Sequence, residues 1–505
     1  MTTAIGTMSA TRRMMEDEFS WDLLRDLRGS TKAMRTAGAK WLIPDNEERR
    51  DAKRFAERLQ RSTLWPAYDD AIDNLAAMPF QRPVMVGDLP DPMARIETNA
   101  DRQGTSLTRF GKLLLEDLAD RGMALLLVDN VPAQIQDGDT VRVMNRAEAE
   151  QMDARPYFAR IAPDNLIGGR HEIRNGREVI TELRVREWTT KVDANGNEVA
   201  VERVRWWTET GFEVWEHDEQ DTGRIALATA SGQKSYRKVQ DMTPHGFPDG
   251  IPLVVIYAKK LAPLVAKPPL LGLAWENVGH WNSSSQQNWI LHYARAPLLV
   301  ITNVSHATAE SPPKLGAGAS LIDSGDAKVF YVEPAGTSIA AGERDIATRE
   351  QRMRAMSMAP AIDRVSGPET ATGEIRAEKK QQTPLQSWIE ALEWGLYDAY
   401  AMAARWLDQE LPEDFDVAIF RDMAVIGGGA QEIGILQTDV REGRITHQTY
   451  LVECQKRGWY PDLDVEAEVE LTATGPEPEP DPVPIPMPSD GVPPVEGDAV
   501  EDDAA

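Results

Sequence analysis

The sequence predicts an α+β protein, and three observations predict it. Apolar residues recur at helical spacing up to residue 121, alternate at strand spacing between residues 155 and 260, and return to helical spacing from residue 268 onward. The chain has 505 residues and a formal net charge of −26, from 55 Lys and Arg against 81 Asp and Glu. A protein that coats nucleic acid needs Lys and Arg to displace counterions, so this balance argues against that class. Hydrophobic residues make up 42%, enough for a large core. A single cysteine, Cys454, excludes an internal disulfide and cysteine-based zinc sites, and fits the cytosol or a particle assembled there. The N-terminus lacks the apolar core of a signal peptide, and no apolar run reaches the ~18–20 residues of a membrane-spanning helix.

Taken in order, residues 47–61 and 68–78 read as helices, the first with Phe55 and Leu59, the second with Ile72, Leu75 and Ala76 in a stripe. Thr105 or Ser106 caps a third helix that runs to Arg121, with Gly122 as its stop. Residues 124–128 (ALLLV) read as a buried strand. Between residues 155 and 260, the segments 182–188, 202–207, 211–215 and 251–257 read as strands, with a hairpin turn at 208–210, and predict one antiparallel sheet packed against the N-terminal helices. A long helix spans 268–293, with Ala274, Val278, Trp281, Trp289 and Tyr293 on one stripe and Asn277, His280, Ser284 and Asn288 opposite; Ser285 interrupts the stripe. Strands follow at 298–302 (LLVIT) and 328–332 (KVFYV), around a loop at 316–320. Gly342 opens a helix over 343–358. Residues 360–373 form a break. A helix at 374–409 carries the strongest stripe in the chain, from Leu385 to Trp406, with Pro384 expected to kink or split it. A strand at 416–420 and helices at 431–442 and 446–458 complete the fold. Residues 475–505 hold nine prolines and nine acidic residues without Lys or Arg, and predict an extended acidic tail.

Catalytic patterns are missing from the sequence. Gly427-Gly428-Gly429 lacks the Lys-Ser/Thr of a phosphate-binding loop, and His171-Glu172 lacks the second histidine of a zinc-protease helix, since position 175 is Asn. There is no GxSxG. His280 and His292 lie 12 residues apart on one helix, where a hydrogen-bonding role at a helix interface is the simpler reading than a catalytic pair. Asp363 and Glu369 read as solvated loop carboxylates rather than an acid–base pair. No cofactor or metal is expected. Fourteen tryptophans without an apolar span between them point to core and subunit contacts rather than a membrane belt.

Four segments in one order carry a resemblance: PPLLGLAWENVGHWNSSSQQNWILHYARAPLLVITN (268–303), GASLIDSGDAKVFYVEPAG (318–336), ERDIATREQRMRAMSMAP (343–360) and SGPETATGE (366–374). In that order they resemble the portal proteins of tailed bacteriophages. WLIPDNEERRDAKRFAERLQRS (41–62) and RPYFARIAPDNLIGG (155–169) look like a portal-like subgroup catalogued as a domain of unknown function.

The resemblance implies a wing (1–267), a first stem helix (268–294), a clip (295–342), a second stem helix (343–359), a tunnel loop (360–373), a long helix (374–409) and a crown (410–472); the disordered acidic tail (473–505), read from its composition, has no fixed counterpart in the family. It implies a ring of twelve copies at one capsid vertex of the virion, assembled in the host cytoplasm, through which double-stranded DNA passes without sequence-specific binding. Its implied partners are the major capsid and scaffolding proteins, the terminase large subunit and head-completion or tail-adaptor proteins, with no membrane and no catalysis. Channel residues would be Arg364, Ser366, Gly367, Glu369, Thr370, Thr372, Arg376, Lys379 and Lys380. The docking residues of the clip would be Lys314, Asp323, Asp326 and Lys328. Trp281, Trp289, Met353, Met356 and Trp388 would lie between subunits, because a stripe as long as that of the long helix needs neighbours to cover it. An acidic channel wall would keep DNA from adhering. The alternatives are another head–tail adaptor, an oligomer without a DNA-sized hole, and a soluble hydrolase built on His280, His292 and Asp363.

Overall fold

The computed structural model describes residues 5–131, 134–137, 140–174, 176–192, 196–217, 236–294, 298–302, 328–332, 336–357, 371–421, 437–438, 440–456 and 469. The chain divides into a first unit, residues 1–423, and a second, residues 424–505. The first unit opens with α1 (Ala10–Glu18), capped by the Ser9 hydroxyl, then α2 (Trp21–Arg28) and α3 (Ser30–Ala37). α4 (Ala52–Arg61) starts at the Asp51 cap, five residues later than expected, because residues 47–50 are turns. α5 (Ala67–Ala77), β1 (Met85–Val86) and α6 (Arg95–Thr98) follow. α7 (Leu107–Arg121) has the expected ends: Ser106 Oγ accepts from the amide of Arg109, and Gly122 takes φ 79°. A Cβ on Gly122 would stand 2.4 Å from the carbonyl oxygen of Lys267, so the left-handed turn and the close approach both call for glycine.

The strands that the sequence placed in one sheet divide between two, one of five strands and one of three. β2 (Met123–Asn130) leads to the hairpin β3 (Gln134–Asp137) and β4 (Thr140–Val143), then to α8 (Arg146–Gln151), opened by the reciprocal cap of Asn145 and Glu148. β5 (Pro156–Ile161) returns antiparallel to β2. A short turn at Pro163–Asn165 then redirects the chain into a five-stranded meander: β6 (Leu166–Arg174), β7 (Arg177–Val192), β8 (Glu198–Thr208), β9 (Gly211–His217) and β10 (Tyr236–Pro244). β11 (Leu253–Tyr257) leaves that sheet and pairs with the free edge of β2, giving the three-stranded order β11-β2-β5. β12 (Lys260–Ala262) and β13 (Val265–Ala266) form a small ribbon. His171-Glu172 lies in β6, not on a helix.

An ion-pair ladder crosses the meander. Glu216, 2% exposed, receives Lys191, Arg203 and Arg237 from three strands. Burial alone would raise its carboxyl, but these hydrogen bonds from Lys191, Arg237 and Arg203 outweigh it and hold the group down at about 2. A depressed value stabilises the fold above the ordinary carboxylate range, and that stability is lost as pH falls from about 4.5 toward about 2. Thermal unfolding of Glu216→Gln against wild type should show a gap that is widest above pH 5 and closes toward pH 2.

Next come α9 (Leu271–Ala294), β14 (Leu298–Thr302), β15 (Lys328–Val332), α10 (Gly336–Met356), α11 (Ala371–Trp406) and β16 (Val417–Ala418). α11 is one helix through Pro384, not two. Its stripe of Leu385, Trp388, Ile389, Leu392, Leu396, Ala399, Tyr400 and Ala403 is buried against β11, β2, β5 and α7. The chain thus covers the stripe by itself, which corrects the expectation that other subunits must do so. Gly395 allows this packing, since a Cβ there would meet the Ile256 side chain at 2.4 Å. Gly395→Val should cost about 1–3 kcal/mol by overpacking, read by urea unfolding.

Residues 410–421, expected in the crown, are held by the first unit. Phe415 packs edge-on to Tyr400 at 5.2 Å, the Ile419 amide donates to Glu393 Oε1 (2.7 Å), and β16 pairs with β1. In the second unit the described residues include α12 (His447–Lys456). The glycine run at 427–429, the helix at 431–442 for the most part, and the acidic tail lie outside the described residues.

Candidate functional site

The helix-breaking Pro297 and the apolar runs LLVIT and KVFYV make a helix–ribbon–helix excursion between residues 271 and 356. β14 and β15 pair antiparallel, Leu298 opposite Val332 and Thr302 opposite Lys328. α9 and α10 pack along one another, and their side-chain contacts fix the direction. Ser283 Oγ donates to Asp345 (2.7 Å), Arg349 reaches Glu276 (3.2 Å), and Gln287 Nε2 donates to the Ile339 carbonyl (3.0 Å). Residues rising along α9 meet residues falling along α10, so the pair is antiparallel. At 1.5 Å per residue, its 24 and 21 residues give lengths of about 36 and 32 Å.

Two glycines lie where the helices meet, each facing the end of a flexible side chain of the other helix. A Cβ on Gly279 would stand 2.4 Å from Arg349 Nη1, and one on Gly342 would stand 2.0 Å from Gln287 Oε1. Gly342 therefore lies inside α10, which begins at Gly336. The sequence suggests this glycine as a helix opener, which places the start seven residues late and assigns residues 336–342 to the clip.

α9 is fastened to the N-terminal segment through side chains that satisfy backbone groups. Asn277, fully buried, accepts from the Tyr68 amide (3.1 Å) and donates to the Trp65 carbonyl (3.0 Å). Asn282 accepts from the Ile43 amide (3.0 Å) and donates to the Trp41 carbonyl (2.8 Å). Ser285 shares a 2.7 Å hydrogen bond with Ser62 and accepts from Arg58 (3.2 Å). Arg58 also binds both oxygens of Glu48 (2.6 and 2.7 Å) and the Ile43 carbonyl (2.8 Å). The Arg58 and Glu48 side chains are 4% and 0% exposed. Each lone pair and proton so used would otherwise be buried unsatisfied at about 1–3 kcal/mol. Ser285 was visible as a break in the apolar stripe of the helix, and Asn277 as part of the polar face opposite. Arg58 and Glu48 were not, because they sit among many charged residues at 47–61 and only the tertiary contact singles them out.

The five residues expected between subunits divide. Trp281, Trp289, Met353 and Trp388 are 0%, 9%, 1% and 4% exposed within this one chain, so they belong to its own packing; Met356 is 42% exposed. Trp289 lies near the guanidinium groups of Arg54 and Arg61. Large exposed side chains that sequence reading did not single out for a surface are Trp275 and Trp394, at 48% and 69%. Lys328 is exposed at the end of the ribbon. Lys314, Asp323, Asp326, Arg364, Ser366, Gly367, Glu369 and Thr370 lie outside the described residues, as does Asp363. Thr372, Arg376, Lys379 and Lys380 fall on the first turns of α11, with Thr372 in the helix rather than in the break.

Among the described residues no catalytic set comes together from the candidates. His280 is buried at the α9–α10 seam, and His292 lies 12 residues along the helix beside Trp289. Across that seam His280 Nε2 stands 3.5 Å from Glu350 Oε1, a long contact, and Nδ1 has no hydrogen bond among the described residues. A cleft of about 220 Å³ is walled by ionisable groups, among them Arg25, Arg28, Asp117, Asp120, Arg121, Arg160 and Asp164. Burial pushes Asp117 up to about 7, against the pull of Arg160, which holds both its oxygens at 2.6 Å. Arg121 likewise spans Asp120 and Asp164. These pairs tie α7 to β5 and to the turn after it. Among the described residues no group of three or more His, Cys, Asp or Glu could hold a metal ion, and no helix is long and apolar enough to cross a membrane.

Residues 269–407 match the family described as Domain of unknown function (DUF4055), and this match spans nearly all of the four ordered segments. No curated protein matches the chain. Among solved structures, the chain is similar to one titled "Neck of empty GTA particle computed with C6 symmetry", at 13% identity and TM-score 0.38, over 77% of this chain and 89% of that one. It is also similar to "Virion of native gene transfer agent (GTA) particle" and "Neck of native GTA particle computed with C12 symmetry", each at 13% identity and TM-score 0.36, over 76% of this chain and 88% of theirs.

Proposed function

We propose that this chain is a portal-type subunit of a phage-like particle: a structural, non-catalytic protein that forms a ring, twelve-fold in this reading, at one vertex, through which DNA enters and leaves. The observation that carries the proposal is the antiparallel pair α9 and α10 with the β14–β15 ribbon at its end, anchored by α9 to the N-terminal segment. It is the arrangement that the resemblance implies for a stem and a clip. In this reading Met356, Trp275 and Trp394 face neighbouring copies, Lys328 lies where a packaging motor and head-completion proteins dock, and Arg364, Arg376, Lys379 and Lys380 lie nearest to DNA. The net charge of −26 suits a conduit, since few cations are on hand to hold phosphates. Light scattering on the purified chain tests the ring. A mass near twelve times 56.1 kDa is expected. A monomer that persists at high concentration and across salt conditions would overturn the proposal.

A further inference from the structure

His280 lies midway along α9, between α10 and the N-terminal segment. Its side chain is 6% exposed. The Trp65 indole stands edge-on to it, centroids 5.3 Å apart and planes at 62°. Neither ring nitrogen has a hydrogen bond among the described residues, an uncommon state for a buried imidazole. The nearest charge is Glu350 on α10, whose Oε1 is 3.5 Å from Nε2, too long for a strong charge-assisted bond. Glu350 is 35% exposed and keeps part of its hydration. The other charged groups of the seam include Asp345, Arg349 and Arg352 on α10 and Glu276 on α9, which Arg352 reaches at 3.7 Å. Arg349 is engaged by both carboxylates, and Asp345 also accepts from Ser283. From the N-terminal segment the group that faces His280 is the uncharged Trp65 ring.

We propose that His280 is a proton-operated joint between α9 and α10: neutral, its ring packs as an apolar wedge and the seam closes, whereas protonated it cannot be solvated in place and the seam opens. The charge balance favours this direction. Burial is the largest influence and disfavours the imidazolium; Glu350 is the main opposing group, Arg349 adds to burial, Asp345 opposes it, and the net leaves the histidine titrating below its ordinary value. The sign follows. A group held neutral in the folded state contributes fully above the ordinary histidine range, and that contribution is lost as pH falls through the depressed value. Each unit of depression corresponds to about tenfold in the opening equilibrium. The inference rests on the helix pair and not on the ring, so either can fail alone.

Two mass-spectrometric readouts on the full chain test it. Deuterium uptake at the imidazole carbon follows the titration of His280 itself. Backbone exchange over residues 336–356, corrected for the intrinsic effect of pH, follows the seam. Wild type should show His280 titrating below the ordinary histidine value, and faster exchange in α10 at pH 5 than at pH 8. His280→Phe, which keeps a neutral ring, should remove that pH dependence. Glu350→Gln, which removes the opposing charge, should move the His280 titration further down and the opening with it. The proposal is overturned if His280 titrates at or above the ordinary value, if α10 is better protected at pH 5, or if His280→Phe keeps the wild-type pH dependence. If His280→Phe does not fold, the Glu350→Gln titration decides: an unmoved His280 value overturns the joint.

Discussion

Arg58→Ala is expected to destabilise the first unit by about 3–5 kcal/mol, the cost of leaving a buried carboxylate without its partner. Glu48 would remain, with 0% of its side chain exposed, and the Ile43 carbonyl and the Ser285 hydroxyl would each lose a donor. Equilibrium unfolding in urea, followed by far-ultraviolet circular dichroism, checks the size. The double variant Glu48→Ala with Arg58→Ala separates two explanations. If the loss comes from the stranded charge, removing both partners should recover part of it, because the unpaired carboxylate is gone. If the double variant is as unstable as the sum of the singles, the ion pair is not what fastens α9 to the N-terminal segment. Arg58→Lys should fall between wild type and alanine, since an ammonium cannot grip both Glu48 oxygens and Ser285 in one plane.

Trp281→Ala is expected to cost a similar amount, about 3–5 kcal/mol, because it removes a large side chain that is 0% exposed and leaves a cavity in the packing between α9 and the N-terminal helices. The form of the loss matters as much as its size. A core residue destabilises the single chain, so the unfolding midpoint should be independent of protein concentration in conditions where the chain is monomeric. A residue that acts between subunits would instead lower the assembled fraction and make the midpoint depend on concentration. Met356→Asp is the counterpart. Met356 is 42% exposed, so a charge there should leave the monomer's midpoint nearly unchanged and weaken assembly.

What the sequence revealed, and what it hid, follows from the range of the interactions. α7 was legible because a serine cap and a left-handed glycine act within a few residues of the helix they bound. The β7–β8–β9 meander was legible because its partners adjoin in sequence and alternate cleanly. The three-stranded sheet was not. β11 joins β2 across more than a hundred residues, and a wholly apolar strand such as Leu253–Tyr257 bears no sign of which sheet it enters. Gly342 misled because glycine marks a helix end more often than a place where two helices meet. The stripe of α11 was correctly read as buried, but periodicity cannot say whether the cover comes from β2 and β11 of the same chain or from a neighbour. Of the site, Ser285 was visible as a break in the apolar stripe; Asn277 was read only as part of the polar face opposite, and Asn282 was not singled out. The partners of the two asparagines are the backbone of residues 41, 43, 65 and 68, and backbone atoms leave no trace in a side-chain pattern.

The central claim is that copies of this chain close around a channel. Images of the purified assembly by negative stain, and then by cryo-electron microscopy, test it most directly. The account predicts a closed ring with an open central hole wide enough for duplex DNA, and with the α9–α10 pair and its ribbon projecting along the ring axis. An assembly with a solid centre would contradict it and favour an adaptor without a channel.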